Sequence, residues 1–186
     1  MITRADIVSL FARQGHLAYE GEGITQLQHG WQCGRLACQA DAAPALQLAA
    51  WLHDLGHLMT GLEGSPTVRG VDDRHEALGS GVLAQLFGAD VAAPVALHVA
   101  AKRYLVSAQP NYADSLSPDS RRSLALQGGP MSVEERAHFK ARRHALDAVR
   151  LRLWDDRAKV AEWQPAGDAA ALDELALLMD RVAASR

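Results

Sequence analysis

His53 and Asp54 stand side by side, and His57 follows four residues after His53. An apolar run, Leu46, Leu48, Ala49, Ala50, Trp51 and Leu52, leads into them. On one helix, positions i and i+4 share a face, so His53 and His57 can point into one site. An imidazole beside a carboxylate suits iron, zinc or manganese. His29, His75, His98 and Asp155 extend the set. Each falls in a different expected helix, among apolar neighbours that direct it inward. Four imidazoles and two carboxylates at the centre of a bundle must be neutralised, because buried unpaired charge costs several kcal/mol. Metal ions do that. Six ligands exceed the needs of one tetrahedral ion and fit two ions bridged by Asp54.

Other polar residues fall at spacings that bring them to the same place. Lys102 lies one helical turn beyond His98, and His57 one turn beyond His53. Ser120, Ser123 and Gln127 fall at i, i+3 and i+7, a single stripe of hydrogen-bond donors. A lysine, a histidine and a row of donors beside two metals point to a phosphate or phosphonate group.

These residues need helices to carry them. Ile2, Ile7, Val8, Leu10 and Phe11 predict a first amphipathic helix, capped by Thr3 and ending near Gly15. Tyr19 to Gly23 is too rich in glycine for a regular element and reads as a loop. Thr25 with Gln28 forms a capping box for the helix that carries His29. A helix from Pro44 carries the central motif, and residues 60–72 read as a loop. Asp72 or Asp73 caps a helix beginning at His75. The helix after Gly88 carries His98 and Lys102, with Pro94 tolerated near its start. A helix from Pro118 carries Ser120, Ser123 and Gln127 and stops at Gly128-Gly129-Pro130. Ser132 with Glu135 makes another capping box. A long helix from His144 turns Leu146, Val149, Leu153 and Trp154 inward, with Asp155 near its middle. A last helix from Asp168 is rich in alanine and leucine. No stretch alternates with period two. The fold class expected is all-α, a single orthogonal helical bundle.

Composition agrees with that class. The 186 residues are enough for one domain with a core, and 48% are hydrophobic and 22% charged. A net charge of −3 gives no electrostatic case for nucleic acid. No segment is long and apolar enough to span a membrane, and the N-terminus lacks a signal-peptide core. Cys33 and Cys38 are too few for a disulfide framework and read as core residues of a reduced, cytoplasmic protein.

The pattern of His29, His53-Asp54, His75, His98 and Asp155 resembles the HD-domain superfamily, metal-dependent proteins with an all-α fold. His75 and His98 match its two-metal branch, and the Asp after Trp154 aligns with its distal Asp. Several longer strings narrow the resemblance. They are Tyr19-x-x-Glu22, Gln26-Leu27-x-His29-Gly30, Leu52-His53-Asp54-Leu55-Gly56-His57, Ala101-Lys102-Arg103-Tyr104-Leu105, Gln127-Gly128-Gly129-Pro130-Met131 and Arg152-x-Trp154-Asp155. Together they resemble the PhnZ-type oxygenases, which cleave 1-hydroxy-2-aminoethylphosphonates. On this reading residues 1–186 form a single HD domain with its metal-binding core at about 25–160, and a C-terminal helix at about 168–184 packs on it.

The resemblance implies a role for each matching residue. His29, His53, Asp54 and Asp155 would hold one iron, and His75 and His98 the second, with Asp54 bridging. The two iron ions would be mixed-valent, Fe(II)/Fe(III), with dioxygen as co-substrate. His57, Lys102, Ser120, Ser123 and Gln127 would bind the phosphonate; Ser123 stands where a Thr is expected, and its hydroxyl serves the same role. Tyr19 and Glu22 would lie over the site, Tyr19 at the open metal position and Glu22 facing the cationic nitrogen of a small-molecule organophosphonate. Tyr19 and Glu22 permit a primary or a trimethylated nitrogen. The rival activity is an HD phosphohydrolase acting on a phosphate ester or nucleotide, which shares every metal ligand and needs no dioxygen. A binding module that has lost catalysis is disfavoured by the full ligand set.

Overall fold

The computed structural model describes residues 2–19, 21–61 and 66–185. Helix α1 (Arg4–Gln14) is followed by a two-stranded antiparallel hairpin, β1 (Ala18–Tyr19) and β2 (Ile24–Thr25). Then come α2 (Gln26–Gln39), α3 (Pro44–Leu52), α4 (Leu55–Thr60), a 3-10 turn (Thr67–Arg69), α5 (His75–Phe87) and α6 (Ala89–Ala108). The chain closes with α7 (Tyr112–Ser115), α8 (Pro118–Leu126), α9 (Val133–Lys140), α10 (Ala145–Arg157) and α11 (Asp168–Ala184). The fold is an all-α bundle, as expected, with one short hairpin added among the described residues.

Local chemistry sets many of the helix starts. Thr3 with Asp6, Thr25 with Gln28, and Ser132 with Glu135 form reciprocal capping boxes at α1, α2 and α9. Pro44 and Pro118 occupy the first turns of α3 and α8, where a missing N–H costs nothing.

Helix α6 lies between α5 and α10, and α3 packs against α2, α6 and α11. Leu48 and Leu52 on α3 are fully buried, each contributing about 1.5–3 kcal/mol. Two glycines permit the closest approaches. A Cβ on Gly34 would stand 2.3 Å from the Trp51 ring, so α2 and α3 pack at this distance because the side chain is absent. A Cβ on Gly56 would stand 2.0 Å from the His75 carbonyl oxygen, so α4 meets the start of α5 directly. That contact brings His75 beside the His53-Asp54 pair.

Several expectations need correction. The central motif does not lie on one helix: α3 ends at Leu52, Asp54 leaves the helical region, and α4 begins at Leu55. The segment at Tyr19 is part of the hairpin rather than a plain loop, with Gly21 and Gly23 at φ 72° completing its turn. Glu20, and positions 62–65 of the second expected loop, lie outside the described residues. On α10, Leu146 and Leu153 face outward, at 72% and 38% exposure. Its buried residues are Ala145, Ala148, Leu151, Arg152, Asp155 and, as expected, Trp154, and the small alanines let α10 sit close to α6. Asp155 lies near the end of that helix, not its middle. Cys33 is buried but Cys38 is exposed.

Candidate metal centre

Four histidines converge where α2, α5, α6, α10 and the α3–α4 junction meet, and in each one the Nδ1 atom is already committed. His29 Nδ1 donates to the Ala158 carbonyl at 2.8 Å, His53 Nδ1 to Ala50 at 2.9 Å and His98 Nδ1 to Val95 at 2.7 Å. A carbonyl only accepts, so each proton is fixed on Nδ1. His75 Nδ1 donates to Asp73 Oδ1 at 2.9 Å. In the neutral imidazole, the state that binds a metal, the lone pair of each is thereby on Nε2.

Those lone pairs face one another. His29 Nε2 lies 3.3 Å from His53 Nε2, and His75 Nε2 lies 3.1 Å from His98 Nε2. Asp54 stands between the two pairs and divides its oxygens. Oδ2 is 3.3 Å from His53 Nε2 and 3.6 Å from His29 Nε2. Oδ1 is 3.5 Å from His75 Nε2 and 3.8 Å from His98 Nε2. Asp155 completes the first pair, with Oδ1 3.4 Å from His29 Nε2. That Oδ1 atom is buried and has no hydrogen-bond donor. Acceptors that converge at these distances call for a cation between them, a proton or a metal ion, and the donor set fits a pair of metal ions bridged by Asp54.

The electrostatics carry the same demand. Burial opposes charge on His53, but the Asp54 and Asp155 carboxylates and the Ala50 carbonyl outweigh it and push its pKa up to about 9. Burial also opposes ionisation of Asp54, yet His53, His57 and His75 hold its carboxyl well below the usual range. His98 is held neutral by burial and by His75 and His53, the state a ligand needs.

Arg152 and Asp73 support the cluster, and neither was among the site residues expected from sequence. Arg152 is buried and places Nη1 2.6 Å from Asp155 Oδ2. Its other nitrogens reach Asp156, the Tyr112 hydroxyl and, at 3.2 Å, Ser120 Oγ. The pairing of Asp156 with Arg152 and Tyr112 leaves Asp155 as the carboxylate that faces the histidines. Asp72 or Asp73 was expected to cap α5, but the N-cap position falls on Arg74. Asp73 accepts from the His75 backbone N–H, and its two oxygens also accept from His75 Nδ1 and, at 2.6 Å, His57 Nδ1. A carboxylate two residues before a ligand histidine was the only signal in the sequence.

A cavity of about 60 Å³ opens beside the cluster. Its walls include His57, Lys102, Ser120, Ser123 and Gln127, all five of the expected anion-binding residues. Lys102 is 3% exposed and its Nζ donates to Ser123 Oγ at 2.6 Å. Burial, with Arg152 nearby, lowers its pKa to about 7. Gln127 Oε1 is buried without a donor. Tyr19 stacks on His29 at 3.8 Å between ring centroids, and its phenol is pushed well up by burial and by Asp54 and Asp155. Glu22 is placed differently. It lines a second, larger cavity of about 840 Å³ that shares Tyr19, His57 and Ser120 with the first, and it lies 3.6 Å from Lys159.

No family model matches the chain. Curated relatives do match, among them two named as phosphonate dioxygenases. The hydroxymethylphosphonate dioxygenase of Gimesia maris is 42% identical over 157 residues, covering 83% of this chain and 78% of the relative. The glycine-betaine-forming [1-hydroxy-2-(trimethylamino)ethyl]phosphonate dioxygenase of Leisingera caerulea is 36% identical over 168 residues, 88% of this chain and 85% of the relative.

Proposed function

The chain belongs to the PhnZ-type phosphonate dioxygenases, and we propose that it cleaves the C–P bond of a (1R)-1-hydroxy-2-aminoethylphosphonate with dioxygen. The nitrogen is a free amine or trimethylated. The products are phosphate and glycine, or phosphate and glycine betaine. We read residues 1–186 as one HD domain, with α11 packed on its core, serving organophosphonate catabolism in the cytoplasm.

The observation that carries this reading is the pairing of two facing sets of Nε2 atoms around a divided Asp54, beside a buried lysine and a row of hydroxyls. His29, His53, Asp54 and Asp155 would hold one iron of a mixed-valent Fe(II)/Fe(III) pair. His75, His98 and Asp54 would hold the other. A bound iron pair supplies the one-electron chemistry that dioxygen requires to react at a C–H bond. In the net reaction C1 is oxidised to a carboxylate, the C–P bond breaks, and dioxygen is reduced.

The chain's own residues bind and orient. Lys102 and His57 supply cationic donors to the phosphonate oxygens, and Ser120, Ser123 and Gln127 supply neutral ones. Lys102 is pre-aimed by its bond to Ser123, so little freedom is lost on binding. Holding the phosphonate on this side presents C1 to the metal cluster, which is the positioning that converts a bimolecular encounter into a directed one. Tyr19 covers His29 and would shield a metal held there until substrate arrives. Glu22 receives the cationic nitrogen.

The test is phosphate release by iron-loaded protein, with and without dioxygen. The substrates are (R)-1-hydroxy-2-aminoethylphosphonate, its trimethylated analogue and hydroxymethylphosphonate. Release that requires dioxygen, fastest with one of the nitrogen-bearing substrates, is expected. Equal release under anaerobic conditions would establish a phosphohydrolase-type reaction and overturn the proposal.

A further inference from the structure

Lys159 sits in a short segment that α2 holds on both sides. The carbonyl before it, on Ala158, accepts from His29 Nδ1. The residue after it, Val160, donates its N–H to Gln32 Oε1 at 3.0 Å and accepts from Gln32 Nε2 at 2.7 Å. Gln32 is fully buried. The backbone of Lys159 is therefore fixed relative to the metal-facing His29. Its side chain runs back over the site, with Nζ 5.8 Å from the centroid of the Tyr19 ring and 3.6 Å from Glu22 Oε1. Both partners of that ion pair are largely shielded: the Lys159 side chain is 12% exposed and that of Glu22 16%. Shielded charges interact more strongly and are screened less than surface ones.

This arrangement gives Glu22 a resident cation. A substrate ammonium approaching Glu22 meets a carboxylate already paired, and the aromatic face beside it already carries a positive charge. Glu22, Lys159 and Tyr19 all line the larger cavity that joins the phosphonate pocket. The substituent on C1 of a bound phosphonate must enter that space, since the phosphonate end is held by Lys102 and the serines.

We propose that Lys159 is a specificity-determining residue that competes with the substrate's cationic nitrogen for Glu22, so that the enzyme discriminates among phosphonates by the charge on the C1 substituent. This rests on the phosphonate reading of the site. Displacing Lys159 is the cost of binding a cationic substrate, and a substrate with no nitrogen leaves the Glu22–Lys159 pair intact. The balance between the two substrate classes is thus set by a residue that touches neither the metals nor the phosphonate.

The test is calorimetric binding to metal-loaded protein, with 2-aminoethylphosphonate and methylphosphonate as probes that lack the reacting hydroxyl. Lys159→Met should tighten 2-aminoethylphosphonate about tenfold, or about 1.4 kcal/mol, and change methylphosphonate less than about twofold. Lys159→Arg should keep the wild-type ratio. In a Glu22→Gln background, Lys159→Met should no longer favour the amine, because the competed carboxylate is gone. An equal shift for both probes, or an unchanged ratio in Lys159→Met, would overturn the inference and leave the phosphonate reading standing. Failure of the wild type to bind either probe would overturn both.

Discussion

Arg152 Nη1 lies 2.6 Å from Asp155 Oδ2, and this pairing leaves Asp155 Oδ1 free to face His29 at 3.4 Å. The arginine neutralises one oxygen, and the other faces the histidine cluster. Removing the carboxylate does not strand the arginine, which keeps Asp156, Tyr112 and Ser120 as partners. Asp155→Ala should therefore fold, and should lose one of the two bound metals. Arg152→Ala leaves a buried carboxylate uncompensated and should cost about 3–5 kcal/mol in metal-free protein, with metal restoring part of it. Metal content by elemental analysis, beside melting curves with and without iron, checks both.

Asp73 fixes two imidazoles through its two oxygens, one each for His57 and His75. Loss of such a partner typically weakens metal affinity by about 10–100-fold. Asp73→Ala should do so at the His75/His98 side, while the His29/His53 side keeps its affinity. A metal titration that resolves two binding steps should show one step displaced. Equal weakening of both would mean that Asp73 acts on the whole fold instead.

Gly56 lies against the first residue of α5, and a Cβ there would overlap the His75 carbonyl oxygen at 2.0 Å. The atom it meets is backbone, so relief requires α4 or α5 to move. Gly56→Ala should cost about 3 kcal/mol and lower Tm by about 6–12 °C. It should also weaken metal binding, since His75 moves with α5. A Tm within a degree of wild type would show that the helices can part without strain.

The legible part of this protein was local chemistry. Thr25 and Ser132 announced helix starts because a cap and its partner stand three residues apart in sequence, and Thr3 did so as a cap alone. The convergence of the histidines and aspartates was readable because a site of that chemistry draws on few residue types. What stayed hidden depends on distance along the chain. Arg152 reads as a surface charge until Ser120 and Tyr112 are folded against it, and Lys159 until Gln32 and His29 hold its segment. Leu146 and Leu153 were expected inward by their hydrophobicity. The face of α10 that carries Arg152 and Asp155 is turned to the site, and the leucines face out as a consequence. The break between α3 and α4 was also illegible, since His53 and His57 keep helical spacing across it.

Lys102 is the clearest source of pH dependence. Its amine falls from the usual 10.5 to about 7 because burial penalises the charge. The unfolded chain therefore binds a proton that the folded one lacks between those values, so stability rises with pH across that window. The penalty is present in full below about pH 7 and is gone above about 10.5. Lys102→Met should remove this slope, seen by urea denaturation at pH 6.5, 8 and 9.5. On the proposed function the same residue also governs phosphonate binding. Above pH 7 the free amine is neutral, and a phosphonate dianion beside it favours the charged form, so binding should take up close to one proton. Calorimetry at pH 8.5 in buffers of different ionisation enthalpy measures that uptake. Lys102→Met should abolish it and weaken phosphonate binding at least about tenfold, as expected for loss of a charge-assisted hydrogen bond. Unchanged uptake in the variant would place the titrating group elsewhere in the pocket.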